Sequence, residues 1–232
     1  MRRVLDTIAT VAMIAASVWV IWAIVHQGKG AGLPAVPPVV DAPSAPVSLD
    51  GSFQQGDPNA PAAILVFSDF ECPFCGRFAR EVLPVLQNKY VKSGRALLAF
   101  RQAPNGKNHP LALGAAGASI CAGRQGKFWE MHDLLFRNQA SLGEQSLQSR
   151  AEALGINMPM YRDCRASEAG ERIIADTAQA RELGVTATPT IMLGTVQSDG
   201  RVLVGVVLKG AMPLRTFEES LDATIVSGRT AK

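Results

Sequence analysis

Charge of one sign is what this sequence most conspicuously lacks. Its 232 residues carry 23 Lys and Arg against 20 Asp and Glu, a net charge of +3 scattered along the chain. Such a surface offers no basic stripe, which excludes nucleic acid as the expected partner. No internal repeat is visible, which sets solenoids and propellers aside. Metal ligands in a cluster are missing too: beyond one close cysteine pair, Cys121 and Cys164 stand far apart, and zinc needs four ligands at compatible spacing.

A further absence is positional. From Thr7 to Val25 no residue is charged, a run of 19 residues. As a helix it measures ~28 Å, close to the ~30 Å hydrocarbon core of a bilayer. A cleaved signal peptide is the rival reading, but its apolar core would be shorter. The adjoining His26-Gln27-Gly28-Lys29-Gly30-Ala31 also lacks a good small-x-small cleavage site. Residues 1–27 are therefore expected to be an uncleaved signal anchor, with Trp19 and Trp22 towards the outer interface. Arg2 and Arg3 orient its start towards the cytoplasm, and the rest of a twin-arginine signal is missing. The expected location is the inner or cytoplasmic membrane, single-pass, with the rest of the chain periplasmic or otherwise extracytoplasmic.

The next stretch is mostly proline and small residues. Residues 28–46 hold five prolines and read as a semi-rigid spacer, reaching at most ~60 Å at ~3.1 Å per residue. Beyond it the pattern becomes that of a folded domain. Val47–Leu49 suggests a short edge strand, and Gln55 to Pro61 a turn-rich stretch. The apolar run Ala62–Ser68 reads as a buried strand. A helix is expected from Cys72 to about Lys92, kinked by Pro84, and a strand over Arg95–Arg101. Helices are predicted over Leu111–Arg124, Phe128–Arg137, Gln148–Leu154, Met160–Ala166 and Glu168–Leu183, where Gly184 supplies a stop. Strands return at Thr190–Leu193 and Arg201–Val207, and a helix runs from Pro213 to about Ser227. A βαβ half and a ββα half, separated by helices, outline an α/β thioredoxin fold over 47–107 and 184–228. An inserted helical domain occupies 108–183.

The chemistry concentrates at Cys72-Pro73-Phe74-Cys75, between a strand and a helix. Free N–H groups and the helix dipole favour a thiolate in a first turn, and a two-residue spacer lets the second sulfur close a disulfide. The competing readings are a structural disulfide and half of a zinc site. Redox chemistry is favoured by the strand-to-helix context.

Three stretches carry a family resemblance. Ser68 to Cys75 (SDFECPFC) resembles the active-site segment of DsbA-like proteins of the thioredoxin superfamily. Thr186 to Thr190 (TATPT) resembles their cis-proline loop, and Gly126 to His132 (GKFWEMH) a stretch of their inserted helical domain. The resemblance implies that Cys72 is the nucleophile and Cys75 the resolving thiol, with Pro189 a cis-proline facing them. It further implies that Thr188 offers backbone bonds to an extended substrate, while Pro73 and Phe74 tune the site. Two departures stand out. DsbA has a histidine between its cysteines where this chain has Phe74, which implies a less stabilised thiolate and a milder oxidant. The buried acid six residues before the first cysteine is replaced by Val66. Proton transfer at Cys75 would then need another group or water; Asp69 and Glu71 are nearby, with a solvated strand end as the competing reading.

The implied activity is protein thiol–disulfide exchange on exported polypeptides with cysteines, in the disulfide-forming direction. A quinone-linked membrane partner, DsbB-like or similar to vitamin-K-epoxide reductase, would re-oxidise the pair, and no cofactor or metal is called for. The alternatives are a reductase or isomerase kept reduced by a membrane thiol carrier, and a non-catalytic chaperone or scaffold. Cys121 and Cys164 are expected to form a structural disulfide, as an exported domain allows, rather than two buried free thiols. His109 and His132 read as structural. Phe128, Trp129, Leu134, Leu135 and Phe136 read as core, and Met158 and Met160 as loop packing rather than a peptide-binding surface.

Overall fold

Ala62–Ser68 has no charged side chain, and in the fold it becomes strand β2, buried along its whole length. A computed structural model describes residues 42–230 of the chain. The expected signal anchor and most of the spacer lie outside the described residues. Among the described residues, no helix is long and apolar enough to cross a membrane.

Strand β2 is buried because it is central. The five-stranded sheet has the order β1-β3-β2-β4-β5, with β1 at Phe53–Gln55, β3 at Ala96–Gln102, β4 at Thr190–Val196 and β5 at Val202–Lys209. Only β2 and β3 run parallel. A helical run over residues 73–91, α1, makes the crossover between them, as a parallel pair requires. Five helices come next: α2 (Ala112–Gly123), α3 (Phe128–Arg137), α4 (Glu144–Ala153), α5 (Met158–Ala166) and α6 (Glu168–Glu182). Helix α7 (Leu214–Thr230) comes after β5.

Strand alternation sorts the core into two faces. Ile64, Val66, Leu98, Phe100, Ile191 and Leu193 share one apolar cluster with Phe78 and Leu86 of α1 and Phe217 and Leu221 of α7. Ala63, Leu65, Phe67, Leu97, Ala99 and Met192 form the other, with Val47, Leu49 and Ala180. The first cluster extends into the helices through aromatic contacts: Phe100 lies 5.2 Å from Phe128, 5.3 Å from His132 and 5.6 Å from Phe70 by ring centroid. A second brace is ionic. Arg101 at the end of β3 meets Asp176 of α6 at 2.8 Å, and Arg172 meets the same carboxylate oxygen at 3.0 Å. Arg101 also donates to the carbonyl oxygens of Ser48 and Asp50, tying the N-terminal segment to both elements.

Several expected elements shift, each for a local reason. The edge strand is not Val47–Leu49. Val47 makes a single antiparallel bridge to Val202, while β1 forms at Phe53–Gln55, where Phe53 stacks on Phe128 at 3.8 Å. The 73–91 run passes Pro84 by widening rather than by breaking. Proline has no N–H to give Arg80, and the ladder moves to i→i−5 bonds just before it, with Leu83 N–H donating to Phe78 O. Helix α4 starts four residues before its expected Gln148, with acidic Glu144 in the first turn after Gly143. Helix α5 starts at Met158, because Asn157 caps it by accepting from the Met160 N–H.

Candidate active site

The end of β2 and the start of α1 bring the cysteine pair to the carboxyl end of the sheet's central strand. Pro73 stands at the first helical position, where a missing N–H costs nothing. Cys72 is therefore the N-cap residue, and its carbonyl accepts from the Gly76 N–H at 3.0 Å. Cys72 and Cys75 are unbonded thiols, and both are buried. Cys72 is thus less open than a helix end alone suggests, whereas Phe74 is 53% exposed beside it. The Thr188–Pro189 peptide is cis, and it sets the Thr188 carbonyl 3.4 Å from Cys72 Sγ. So Cys72, Pro73, Phe74, Cys75, Thr188 and Pro189 converge on one place. Cys121 of α2 and Cys164 of α5 lie apart from it, joined to each other by a disulfide in the helical segment.

The two sulfurs are electrostatically unequal. The Cys72 thiol is held down to about 5, first by a hydrogen bond with the Cys75 side chain, then by backbone N–H groups of the first turn and the Thr188 side chain. Burial opposes this shift without cancelling it. Burial pushes the Cys75 thiol upward, and the hydrogen bond and negative charge of Cys72 push it further. Cys75 Sγ accepts from the Asp69 N–H at 3.4 Å, and the Ser68 side chain also bonds to it. Val66 provides no acid here; it is an apolar residue in the core cluster of its sheet face.

Asp69 and Glu71 are not a solvated strand end. Asp69 is 1% exposed, and its carboxylate accepts from Glu71 N–H at 2.8 Å and from Asn105 N–H at 2.7 Å. Its third partner is His109 Nδ1, at 2.7 Å. Glu71 accepts from the Leu111 N–H, so both acids pin the loop before α2 against the redox turn. From the other side Gln139 donates to the carbonyls of Phe70 and Cys72, an approach that depends on Gly76, where a Cβ would collide with it. The sequence singled out neither Ser68 nor Gln139 for a role at the site, and His109, read there as structural, bonds to the carboxylate beside the redox turn. Ser68 closes β2 and opens the SDFECPFC stretch, which hinted at it, but the other two arrive from distant segments. His132 is packed among Phe70, Phe100, Phe128, Trp129 and Phe136, and burial lowers its pKa. Met158 packs partly against the core, while Met160 is 57% exposed. Among the described residues no group of His, Cys, Asp or Glu could hold a metal ion.

A groove of about 400 Å³ runs beside Thr188, lined among others by Pro104, Asn105, Thr177, Arg181 and Val185. A family model described as Thioredoxin matches residues 48–203 of this chain. The chain belongs to the Thioredoxin family. Its fold within that family is the DsbA-like one. Wolbachia pipientis α-DsbA1 superposes with a TM-score of 0.70 at 23% identity, covering 80% of this chain and 96% of that one. Bacillus subtilis BdbD in its oxidised form superposes with a TM-score of 0.66 at 22% identity, covering 80% and 99%. Among curated sequences, a Na(+)/H(+) antiporter NhaA 1 of Salinispora arenicola is 36% identical over 153 residues, 64% of this chain. That stretch is 22% of the antiporter, so this Thioredoxin-family chain matches only a small part of a much longer protein. A probable disulfide bond formation protein D of Bacillus anthracis is 28% identical over 148 residues, 59% of this chain and 66% of that protein.

Proposed function

We propose that this Thioredoxin-family chain is a thiol–disulfide oxidoreductase that introduces disulfides into exported polypeptides through Cys72 and Cys75. The observation that carries the reading is the inequality of the two sulfurs. Cys72 sits at a helix start under N–H groups and the Thr188 side chain, and Cys75 lies buried close by with a raised pKa. In the oxidising direction a substrate thiolate attacks Cys72 Sγ of the Cys72–Cys75 disulfide. The S–S bond breaks, and Cys75 leaves as a thiolate that takes up a proton. A second substrate thiolate then attacks the substrate sulfur of the mixed disulfide and expels Cys72 as a thiolate. The substrate has lost two electrons, and the pair has gained them.

The direction depends on which form is stabilised. A Cys72 thiolate favoured at about 5 stabilises the reduced pair, which makes the disulfide oxidising. That value lies between ~8.5 for a free thiol and ~3.5 for the most activated members of the superfamily, in keeping with Phe74 supplying no imidazole. Likeness to the Bacillus disulfide-formation protein supports the same direction. The groove beside Thr188 suits an extended substrate chain. A membrane anchor over residues 1–27 would hold the site outside the cytoplasm, near a quinone-linked partner of the DsbB or vitamin-K-epoxide-reductase kind. Equilibration of the pair with glutathione tests the direction. A potential towards the −120 mV end of the range is expected, whereas one near −270 mV would make the chain a reductase.

A further inference from the structure

The pair of buried Asp69 and half-buried His109 stands against the redox turn, and disulfide exchange at Cys72 and Cys75 makes no direct use of it. Asp69 is placed by its main chain as well as its side chain. Its N–H donates to Cys75 Sγ at 3.4 Å, and its carbonyl accepts from the Cys72 N–H at 3.2 Å. Its carboxylate, 1% exposed as a residue, holds His109 Nδ1 at 2.7 Å from a different segment of the chain. The Nδ1–H is thereby committed to the carboxylate, and any second proton on the ring sits at Nε2. Nε2 has no hydrogen-bond partner among the described residues, although the His109 side chain is only 21% exposed.

We propose that Asp69 and His109 are positioning residues of the redox centre: Asp69 holds a protonated imidazole from the loop before α2 within electrostatic reach of Cys72, where it stabilises the thiolate in place of the histidine that Phe74 replaces. The inference rests on the redox reading of Cys72–Cys75 and deepens it. An ion pair of this kind must act both ways. The charged groups that act on His109 are Asp69, Cys72 and Glu71: the Asp69 hydrogen bond is foremost in raising its pKa, burial opposes it, and the charges of Asp69, Cys72 and Glu71 add smaller contributions in that order. By reciprocity a cationic His109 favours the thiolate of Cys72 by the same coupling. The main-chain bonds of Asp69 explain why the coupling has a fixed geometry, since the residue that orients the imidazole also shapes the turn carrying both sulfurs.

His109→Gln separates this role from simple bracing of the loop. Its amide can still donate to Asp69, but it carries no charge. Thiolate absorbance against pH in the reduced protein should show the Cys72 titration moved upward, with the thiolate-to-thiol ratio at a given pH falling on the order of twofold. Equilibration with glutathione should move by a similar factor towards the oxidised form. An unchanged Cys72 titration in folded His109→Gln would overturn the proposal and leave the pair a loop brace. Should that variant fail to fold, NMR titration of His109 in reduced wild type and in Cys72→Ser decides the matter: the His109 pKa must fall when the thiolate is removed, and an unmoved pKa refutes the coupling. Both readouts are independent of turnover. Wild type that fails to exchange disulfides would therefore sink the functional reading without touching this one.

Discussion

The disulfide between Cys121 and Cys164 permits a prediction whose size comes from the chain itself. The bond joins α2 to α5 across a sequence separation of 43 residues, with α3 and α4 inside the loop. By chain entropy, opening a loop of that length releases the unfolded state by about 4 kcal/mol. Replacing both residues by Ala is the suitable perturbation, because both are buried and Ser would bury two hydroxyls without assured partners. With a urea dependence of about 2 kcal/mol per molar, the midpoint of unfolding of the oxidised double variant should fall by roughly 2 M. Far-ultraviolet circular dichroism against urea tracks this, with the slope compared to ensure that the denatured state has not expanded. Because the bond lies apart from the Cys72 site, the folded fraction should retain its exchange activity. A midpoint lowered by less than about 0.3 M would refute the entropic reasoning. Complete loss of exchange in a well-folded double variant would instead give Cys121 and Cys164 a catalytic part.

The buried ion cluster should be far costlier to break than a surface pair. Asp176→Ala leaves Arg101 and Arg172 without their shared carboxylate and should cost about 3–5 kcal/mol in denaturant unfolding; a loss under about 1 kcal/mol would contradict this. In the oxidised protein, burial keeps His132 neutral in the native state while the unfolded chain binds a proton below ~6.5. Stability should therefore fall as the pH drops below that value, by up to about 1.4 kcal/mol per unit, and His132→Phe should flatten this limb of a pH series of melts. If residues 7–25 are an uncleaved anchor, the protein should stay with membranes after carbonate washing and keep its own N-terminus; a soluble form starting near residue 30 would refute the anchor.

Local pattern makes much of the fold legible. Strand β2 and helix α3 have the bounds expected from the apolar run Ala62–Ser68 and the amphipathic Phe128–Arg137. Both carry their signal within their own residues. Strand β1 escapes such a reading because its identity depends on what Phe53 meets, namely the ring of Phe128 and strand β3, and no local pattern records that. At the site, the cysteine pair and the Thr-Pro loop are readable because a short motif specifies each. The environment of the pair is not. By sequence Asp69 suits solvent as well as the interior, and Asn105 and His109, 36 and 40 positions later, settle it by closing on the carboxylate. Gln139 reaches the carbonyls of Phe70 and Cys72 from just beyond the end of α3 in the same way. Side chains that act across such separations leave no periodicity to read.

The most direct test of Cys72 as the exchanging sulfur is mass spectrometry of single-cysteine variants of the pair. Cys75→Ala and Cys72→Ala, each reduced and then exposed to insulin as the disulfide donor at neutral pH, differ in which thiol remains. Cys75→Ala loses the Cys75 hydrogen bond but keeps the N–H groups of the first turn, so Cys72 should titrate above about 5 and still form a mixed disulfide with an insulin chain, and no Cys75 should be present to resolve it. Cys72→Ala should stay almost unmodified, since its remaining sulfur is buried and reluctant to ionise. An adduct forming on Cys75 as readily as on Cys72, or on neither, would contradict the assignment of nucleophile and resolving thiol.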